Sequence, residues 1–286
     1  MSPPLSAKKI KSNLNTTRIG SEILVFDAVS STNDLAKQYL EQNVAEGLVL
    51  IAESQTRGRG RMGRTWMSLS GIGLYLSVIL KPDIQLRLLP QLTLLAGLAT
   101  TLAINEFIRK KAQLKWPNDI LLNGKKCCGI LCETHVSKNG EAGVIIGIGI
   151  NANHSIPDFP DDLTSSATSL MIETGNVIDR QALVHALICN LDQQYDAYLG
   201  NGEQTVIEKW LENSDMVGKK ITVTLGKSAI HGTALGLDSQ GRLLMRSEKG
   251  EELTFDSGEV SLHSSAEGAR PARGKLLTRK NVFLGW

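Results

Sequence analysis

A basic, glycine-rich stretch at residues 52–66 holds the side chains best suited to bind an anion. It contains four arginines and three glycines and ends on Trp66, and no aspartate or glutamate occurs between Glu53 and Asp83. Arginine offers paired, planar N–H donors that match phosphate and carboxylate oxygens, and glycine lets backbone N–H groups approach a ligand closely. The stretch predicts a loop that folds over an anion, with a solvated basic loop as the structural alternative.

Two glycine-rich motifs fit the letters of this stretch, and the residues that follow it exclude both. The glycines spell G-x-G-x-x-G, and residues 58–65 spell a P-loop in which Arg64 replaces the lysine. Both motifs need a helix directly after the glycines, because the helix N-terminus receives the phosphates. Residues 70–80 instead alternate and open on glycine, which predicts a strand. A kinase-type loop does lie between strands, but no H-R-D or D-F-G sequence follows. The sequence therefore predicts a strand–loop–strand arrangement.

Hydrophobic periodicity and turn signals predict the elements that position this loop. An alternating strand at residues 22–27 precedes a helix that Ser31 or Thr32 can cap. Asn123-Gly124 predicts a hairpin turn, and short, closely spaced strands after residue 214 predict a small all-β barrel. The other predicted elements are strands at 48–53, 72–80, 113–116, 126–133 and 143–150, a buried helix at 88–111, a loop at 151–166, and helices at 179–199 and 203–211.

Composition places the chain among ordinary soluble globular proteins. Its 286 residues are 42% hydrophobic and 21% charged, with a formal net charge of +2. That charge is too small to imply nucleic-acid binding, and no apolar run is long enough to cross a bilayer. The four cysteines lack C-x-x-C spacing, and the histidines form no H-x-x-x-H pair. We therefore expect reduced thiols, a cytoplasmic location and no zinc site.

Five short motifs occur in a single order along the chain. They are Ser31-Thr32-Asn33, the arginine loop, Lys115-Trp116-Pro117-Asn118-Asp119, Lys126 with Gly129-Ile130-Leu131 and Glu133, and Gly147-Ile148-Gly149-Ile150-Asn151. Together they resemble the motifs of biotin protein ligases, the biotin–[acetyl-CoA-carboxylase] ligases, over about residues 19–263. The resemblance implies an α+β fold, with a mixed sheet and flanking helices like those of class II aminoacyl-tRNA synthetases. It also implies a small C-terminal SH3-like β-barrel.

The same resemblance divides the chain and points to its partners. It implies a connector-like segment at 1–20, a catalytic biotin- and ATP-binding domain at 21–214, the SH3-like domain at 215–263 and a basic, mobile tail at 264–286. The first segment resembles the connector that follows a winged helix-turn-helix domain in repressor members of the family, without that domain. We therefore expect a biotin carboxyl carrier domain as partner, no DNA and no membrane, with a homodimer left open.

The chemistry that the resemblance implies has two steps. Biotin and ATP, which arrives with Mg²⁺, first form biotinyl-5′-AMP and pyrophosphate, and a lysine of the carrier then receives the biotinyl group. Bringing a carboxylate and a triphosphate together requires cations in a site with little water. The alternatives are a lipoate or octanoate ligase or transferase of the same fold, and a non-catalytic nucleotide- or nucleic-acid-binding module.

Individual roles carry over from the resemblance onto matching positions. The implied catalytic residues are Lys126, which would bridge the biotin carboxylate and the α-phosphate, Arg61, and Asp119, which would orient the acceptor lysine or accept its proton. Helix capping at 31–33, core packing of Trp66 and an exposed hairpin lysine are the structural alternatives. No carboxylate cluster indicates metal ligands. The implied biotin-binding residues are Ser31, Thr32, Asn33, Gln55, Arg59, Gly60, Arg61 and Lys126, and the implied adenylate-binding residues are Gly58, Arg59, Arg61, Arg64, Trp66, Asn118, Lys126 and Asn151.

Overall fold

Seven strands form one mixed sheet in the computed structural model, which describes residues 3–83, 88–201 and 203–262. Strands β1 and β2 pair in parallel, and the other neighbouring pairs are antiparallel. The expected α+β class is confirmed, whereas the predicted tail at 264–286 lies outside the described residues. The strands, in the spatial order β1-β2-β3-β7-β6-β5-β4, are β1 (Ile23–Val29), β2 (Val49–Gln55), β3 (Leu74–Leu80), β4 (Gln113–Lys115), β5 (Asp119–Leu122), β6 (Lys125–Val136) and β7 (Ala142–Ile150).

Helix α3 (Leu89–Asn105) is buried along most of its length and packs against α5 (Arg180–Asn201), α6 (Glu203–Glu212) and β6. The predicted end of this helix at residue 111 is wrong, because the helix ends at Asn105. The Asn105 side chain accepts a hydrogen bond from the Ala112 N–H at 2.9 Å, which turns the chain toward β4 and leaves residues 109–111 exposed. No described helix is both long and apolar enough to span a lipid bilayer. The helices are α1 (Ala7–Lys11), α2 (Thr32–Leu40), α3 (Leu89–Asn105), α4 (Leu170–Thr174), α5 (Arg180–Asn201) and α6 (Glu203–Glu212).

A second, antiparallel sheet follows α6, as the closely spaced turns predict. Its buried side chains join those of the large sheet in one hydrophobic cluster, and the Trp116 indole N–H donates to the Gly241 carbonyl at 3.1 Å. Among the described residues no pairing joins the two outer strands, so closure into an SH3-like barrel stays a prediction. In the spatial order β11-β10-β9-β8-β12, the strands are β8 (Lys220–Leu225), β9 (Ser228–Leu237), β10 (Leu243–Ser247), β11 (Glu252–Phe255) and β12 (Glu259–Leu262).

The segment before β1 packs on the body of the protein. Leu5, Ile10 and Ile19 are buried in the main hydrophobic cluster. The buried Arg180 guanidinium forms an ion pair with Glu53 at 2.7 Å, and Glu53 also accepts the Leu5 N–H at 2.6 Å. A buried carboxylate needs such partners, because an isolated charge is strongly unfavourable away from water. The first residues are thus tied to β2, immediately before the arginine loop.

The loop after β7 buries a histidine without hydrogen-bonding it. His154 is fully buried, and its ring stacks on Phe159 with 5.4 Å between the centroids. Neither ring nitrogen has a hydrogen-bond partner among the residues that the structure describes. Burial lowers the pKa of His154 from 6.5 to about 4, because removal from water disfavours the charged imidazolium. The folded protein therefore holds His154 as the neutral imidazole near pH 7.

Because His154 is buried as the neutral imidazole, the free energy of unfolding decreases as the pH falls. As the pH drops from about 6.5 toward 4, the unfolded chain protonates His154 first, so the folded state loses stability across that window. Between pH 7.5 and pH 5 we expect His154 alone to contribute a loss of about 2 kcal/mol in the free energy of unfolding. Urea unfolding of the parent and of His154→Phe at both values measures it, because other titrating groups cancel in the comparison. Equal pH dependence in the two proteins would contradict the assignment.

Candidate active site

One cavity of about 450 Å³ lies on a face of the large sheet, between the start of α2, the arginine loop, the β5–β6 hairpin and the first residues of β12. Every residue predicted for biotin, nucleotide or catalysis lines it except Gly58. Gly58 packs instead against the Trp66 carbonyl, to which an added Cβ atom would approach within 2.4 Å. The fold thus brings the predicted residues together from distant parts of the chain.

The arginine loop is a short hairpin between β2 and β3, in agreement with the predicted strand–loop–strand arrangement. Its sides are joined by two backbone hydrogen bonds, from Trp66 to the Gly58 carbonyl at 2.9 Å and from Gly60 to the Arg64 carbonyl at 2.7 Å. A single 3₁₀ turn forms its tip, where Met62 has a φ of 55°. The left-handed tip turns the chain back within a few residues.

Three of the four loop arginines, those that line the cavity, each have a different side-chain partner. Arg59 lies 2.7 Å from the Asp34 carboxylate of α2 and 3.3 Å from that of Glu133. Arg61 donates to Asn118 Oδ1 at 3.2 Å, and burial lowers the pKa of its guanidinium although nearby acids oppose the shift. Arg64 forms an ion pair with Glu259 of β12. The predicted cations therefore all face this cavity, held by groups from separate elements.

A hydrogen-bonded polar cluster fills the end of the cavity beside α2. Ser31 occupies the N-cap position, but its side chain makes no capping hydrogen bond. The Thr32 N–H donates to Gln55 Oε1 at 2.8 Å, and Ser77 Oγ lies 2.8 Å from Thr32 Oγ1 and 2.6 Å from Asn33 Oδ1. Helix capping therefore does not explain why these polar side chains occur at the start of α2. Sequence reasoning missed Ser77, a small polar residue among the large hydrophobic and aromatic residues of a buried strand, and that contrast was the available signal.

The bridge between the polar cluster and the loop is Glu133 of β6. Asn33 Nδ2 donates to Glu133 Oε2 at 2.8 Å, and Lys37 Nζ lies 2.7 Å from Oε1. Although burial opposes the change, the hydrogen bonds from Lys37 and Asn33 lower the pKa of Glu133. The carboxylate is therefore charged near neutral pH and orients both Asn33 and Arg59.

Glycines of β6 and β7 form the floor of the cavity. A Cβ atom added at Gly149 would lie 2.5 Å from the Trp66 indole, and one at Gly147 would lie 2.2 Å from Asn33 Oδ1. At Gly129 the added atom would lie 2.9 Å from the Trp66 ring. Trp66 and Asn33 can lie flat on the sheet only because these positions lack side chains. Sequence reasoning did not assign these glycines a role, although the alternation Gly147-x-Gly149 places both on one face of a strand.

Two lysines flank one aspartate at the other end of the cavity. Lys126 Nζ lies 2.6 Å from Asp119 Oδ1 and Lys115 Nζ lies 3.6 Å from Oδ2. The Lys126 ammonium also lies 5.4 Å from the centroid of the Trp66 ring, a cation–π distance. Lys126 is therefore directed into the site and is not a solvated hairpin lysine. Lys115, which faces Asp119 across the β4–β5 pair, was missed as a site residue.

A partly apolar wall closes the side of the cavity next to Lys126. Asn151 is buried and its Nδ2 donates to the Thr168 carbonyl at 3.0 Å. Phe159, Leu163 and Ala167 line the same side. Such a slot suits a flat, hydrophobic group with a few polar atoms at its edge.

The described residues provide no group of three or more histidine, cysteine, aspartate or glutamate side chains that could hold a metal ion. Asp119 lies between Lys126 and Lys115, and these lysines occupy both of its carboxylate oxygens. Magnesium prefers near-octahedral oxygen ligands and retains several waters. The site therefore does not offer a protein cage for Mg²⁺.

Comparison with known proteins identifies relatives along most of the chain. Residues 25–151 match the Biotin/lipoate A/B protein ligase family, and residues 217–263 match the Biotin protein ligase C terminal domain. The bifunctional ligase/repressor BirA of Bacillus subtilis is 40% identical over 259 residues, which cover 90% of this chain and 79% of that protein. The biotin–[acetyl-CoA-carboxylase] ligase of Mycobacterium tuberculosis is 30% identical over 265 residues, which cover 90% of this chain and 96% of that protein.

Solved structures agree with the sequence matches. The biotin protein ligase from Aquifex aeolicus in complex with biotin and ATP superposes with a TM-score of 0.74 at 33% identity, covering 86% of this chain and all of that one. A biotin protein ligase from Leishmania major in complex with biotinyl-5-AMP has a TM-score of 0.58 at 28% identity. With this fold, this cavity and these relatives, the chain belongs to the biotin protein ligase family.

Proposed function

We propose that the chain joins biotin to ATP as biotinyl-5′-AMP and then transfers the biotinyl group to a lysine of a biotin carboxyl carrier domain. The observation that carries the proposal is a single cavity with a hydrogen-bonding end and a cationic end. The A. aeolicus neighbour was solved with biotin and ATP, and the M. tuberculosis relative is named for acetyl-CoA carboxylase. The chain acts accordingly as a biotin–[acetyl-CoA-carboxylase] ligase.

The polar end of the cavity suits the ureido ring of biotin. That ring presents two N–H donors and one carbonyl acceptor, and each needs a partner once it leaves water. Hydroxyl and amide groups at positions 31–33, together with Gln55, supply donors and acceptors there. The Trp66 indole, which packs on the glycine floor, offers an apolar surface to the hydrocarbon part of the ligand.

In the first step, a carboxylate oxygen of biotin attacks the α-phosphorus of ATP, and the bond from that phosphorus to pyrophosphate breaks. Both reactants are anions, so nearby cations must offset their repulsion. Lys126 moves from Asp119 to a position between the carboxylate and the α-phosphate, while Lys115 stays beside Asp119. Arg59 and Arg61 take up the remaining phosphate charge.

In the second step, the neutral amine of the carrier lysine attacks the carbonyl carbon of the mixed anhydride. An amide bond forms, AMP leaves with the electrons of the broken C–O bond, and the amine gives up a proton. Asp119 accepts that proton or orients the amine. The loop shields the anhydride from water until the carrier arrives.

Magnesium enters this scheme as the partner of ATP and not as a resident of the protein. The described acids do not form a cage for it, and Mg²⁺ is commonly bound through substrate phosphates with retained waters. It would supply charge neutralisation on the phosphates. The residues of this chain orient the nucleotide around it.

The remaining proposals concern location, the second domain and self-association. Four cysteines without a disulfide are consistent with a reducing, cytoplasmic location. The five antiparallel strands at 220–262 are those of an SH3-like domain. Strand β5 pairs with β6 only as far as Gly129, so residues 131–136 offer an open edge for a homodimer. We propose no role for DNA.

A comparison of biotin with lipoate as substrates distinguishes the proposed biotin ligase from a lipoate ligase of the same fold. Lipoate has no ureido group, so it would leave the polar end of the cavity without hydrogen-bond partners. We expect biotin-dependent exchange of pyrophosphate into ATP, with lipoate at least on the order of 10⁴-fold less effective in kcat/KM. Lipoate-dependent exchange at a similar rate would favour the lipoate ligase. Salt-sensitive nucleic-acid binding without any exchange would favour the non-catalytic module.

Lys126→Gln tests the central cation. Removing one charge that stabilises the transition state typically costs 10²–10³-fold in rate, or about 3–4 kcal/mol. We expect biotin-dependent exchange to fall by about that factor while the unfolding midpoint is kept. Lys220→Gln, the same change at an exposed position of β8, is the matched control and should exchange normally. Near-parental exchange by a folded Lys126→Gln protein would rule out the assignment.

The variant Arg61→Gly tests whether Arg61 keeps biotinyl-AMP in the cavity. The change removes the contact with Asn118 and adds a mobile residue to the loop tip. We expect the variant still to form biotinyl-AMP through Lys126 and the other arginines, but to release it, so that lysines of an unrelated bystander protein become biotinylated. The matched control is Arg57→Gly, because Arg57 is exposed in the same stretch and does not line the cavity. This variant should not increase biotinylation of the bystander protein. Unchanged bystander labelling despite normal adenylate formation would refute the guarding role.

A further inference from the structure

The C-terminal sheet contacts the arginine loop directly. The Glu259 carboxylate, at the start of β12, forms an ion pair with Arg64. The preceding carbonyl, that of Gly258, lies 3.5 Å from Arg61 Nη1. Both residues line the cavity, although they lie about two hundred positions after the loop. Neither residue has a place in the reaction described above.

The loop has little internal support of its own. Three backbone hydrogen bonds join residues of the loop to one another, and its tip carries Met62, which is 67% exposed. Three glycines raise the number of conformations that the free loop can adopt. Contacts with other elements must therefore hold the tip over the cavity.

The loop arginines that line the cavity contact two different parts of the protein. Arg59 is held by acids of the catalytic region, while Arg61 and Arg64 face the C-terminal sheet. The Arg64 side chain is 67% exposed and lies at the outer rim of the cavity. Arg61 lies further in, where burial lowers the pKa of its guanidinium and the charges of Asp119 and Glu259 raise it. A phosphate that enters can engage the inner Arg61 while the outer Arg64 keeps its carboxylate partner. The outer pair can thus hold the loop when the inner arginine binds the ligand.

We propose that Glu259 is a positioning residue, which holds the arginine loop closed over biotinyl-AMP through Arg64 and so sets how long the intermediate stays bound. The C-terminal sheet then acts on the intermediate without touching the reacting atoms. The inference rests on the proposed ligase function. An exposed ion pair contributes little to overall stability, so the effect belongs to the lifetime of the closed loop and not to folding.

Release of labelled biotinyl-AMP from a preformed complex, chased with excess unlabelled biotinyl-AMP, measures that lifetime. We expect Glu259→Gln to release it about 1.5- to 5-fold faster, the scale of one exposed ion pair. Glu259→Arg, which places like charges together, should release it on the order of 10-fold faster. The charge swap Glu259→Arg with Arg64→Glu should return the rate to near the parental value, because an opposite-charge pair is restored.

The pair formed by Arg246 and Glu252 supplies the control. These side chains lie 3.0 Å apart on the same C-terminal sheet, and both are about half exposed. Glu252→Gln and Glu252→Arg should leave the release rate unchanged, and all variants should keep the parental unfolding midpoint.

The outcomes separate this inference from the function on which it rests. A parental rate in Glu259→Arg, or a charge swap as fast as the single variant, would overturn the positioning role even if biotin-dependent exchange is normal. A parent protein without biotin-dependent exchange would overturn the proposed function and the inference together. Faster release that the swap reverses supports the role, because a merely structural defect would not recover when the charges are exchanged.

Discussion

The close approach of two side chains to a strand surface without Cβ atoms is the constraint on which this site depends. Trp66 and Asn33 occupy the space that side chains at Gly149 and Gly147 would take. With the indole against the sheet, Lys126 can lie over its ring, and with Asn33 against the sheet, Ser77 can bond to it. The steric vacancy in β7 thus sets the positions of both the polar and the cationic end of the cavity.

Charge is the second organising factor. The site concentrates lysines and arginines that would repel one another if they were unpaired, and each has a nearby acid or amide. Asp119, Glu133 and Glu259 come from β5, β6 and β12, so three strands counter the charge of one short loop and two lysines. Anionic ligands can replace these partners, so the cations can bind a ligand without ever being buried as unpaired charges.

Much of the site was predictable because its residues belong to short, local motifs. Arg59, Arg61, Arg64, Asn118, Asp119 and Lys126 all line the cavity as expected. Ser77, Lys115 and Glu259 were missed, since a single serine, lysine or glutamate in a strand has no local signal of its role. The predicted end of α3 was six residues too late (Lys111 against Asn105), because an apolar run does not show where the chain will turn away, here with the Asn105 side chain bonded to the Ala112 N–H.

The sequence by itself determined the order of most elements, the strand–loop–strand setting of the arginines and the family, because periodicity, turns and motifs are local properties of the chain. Only the tertiary structure decided which side chains meet. The pairing of Glu259 with Arg64 and the packing of Trp66 on Gly149 join residues far apart in sequence, and their contacts depend on strand order and register. Those are set by burial of the whole hydrophobic cluster, which no single segment encodes.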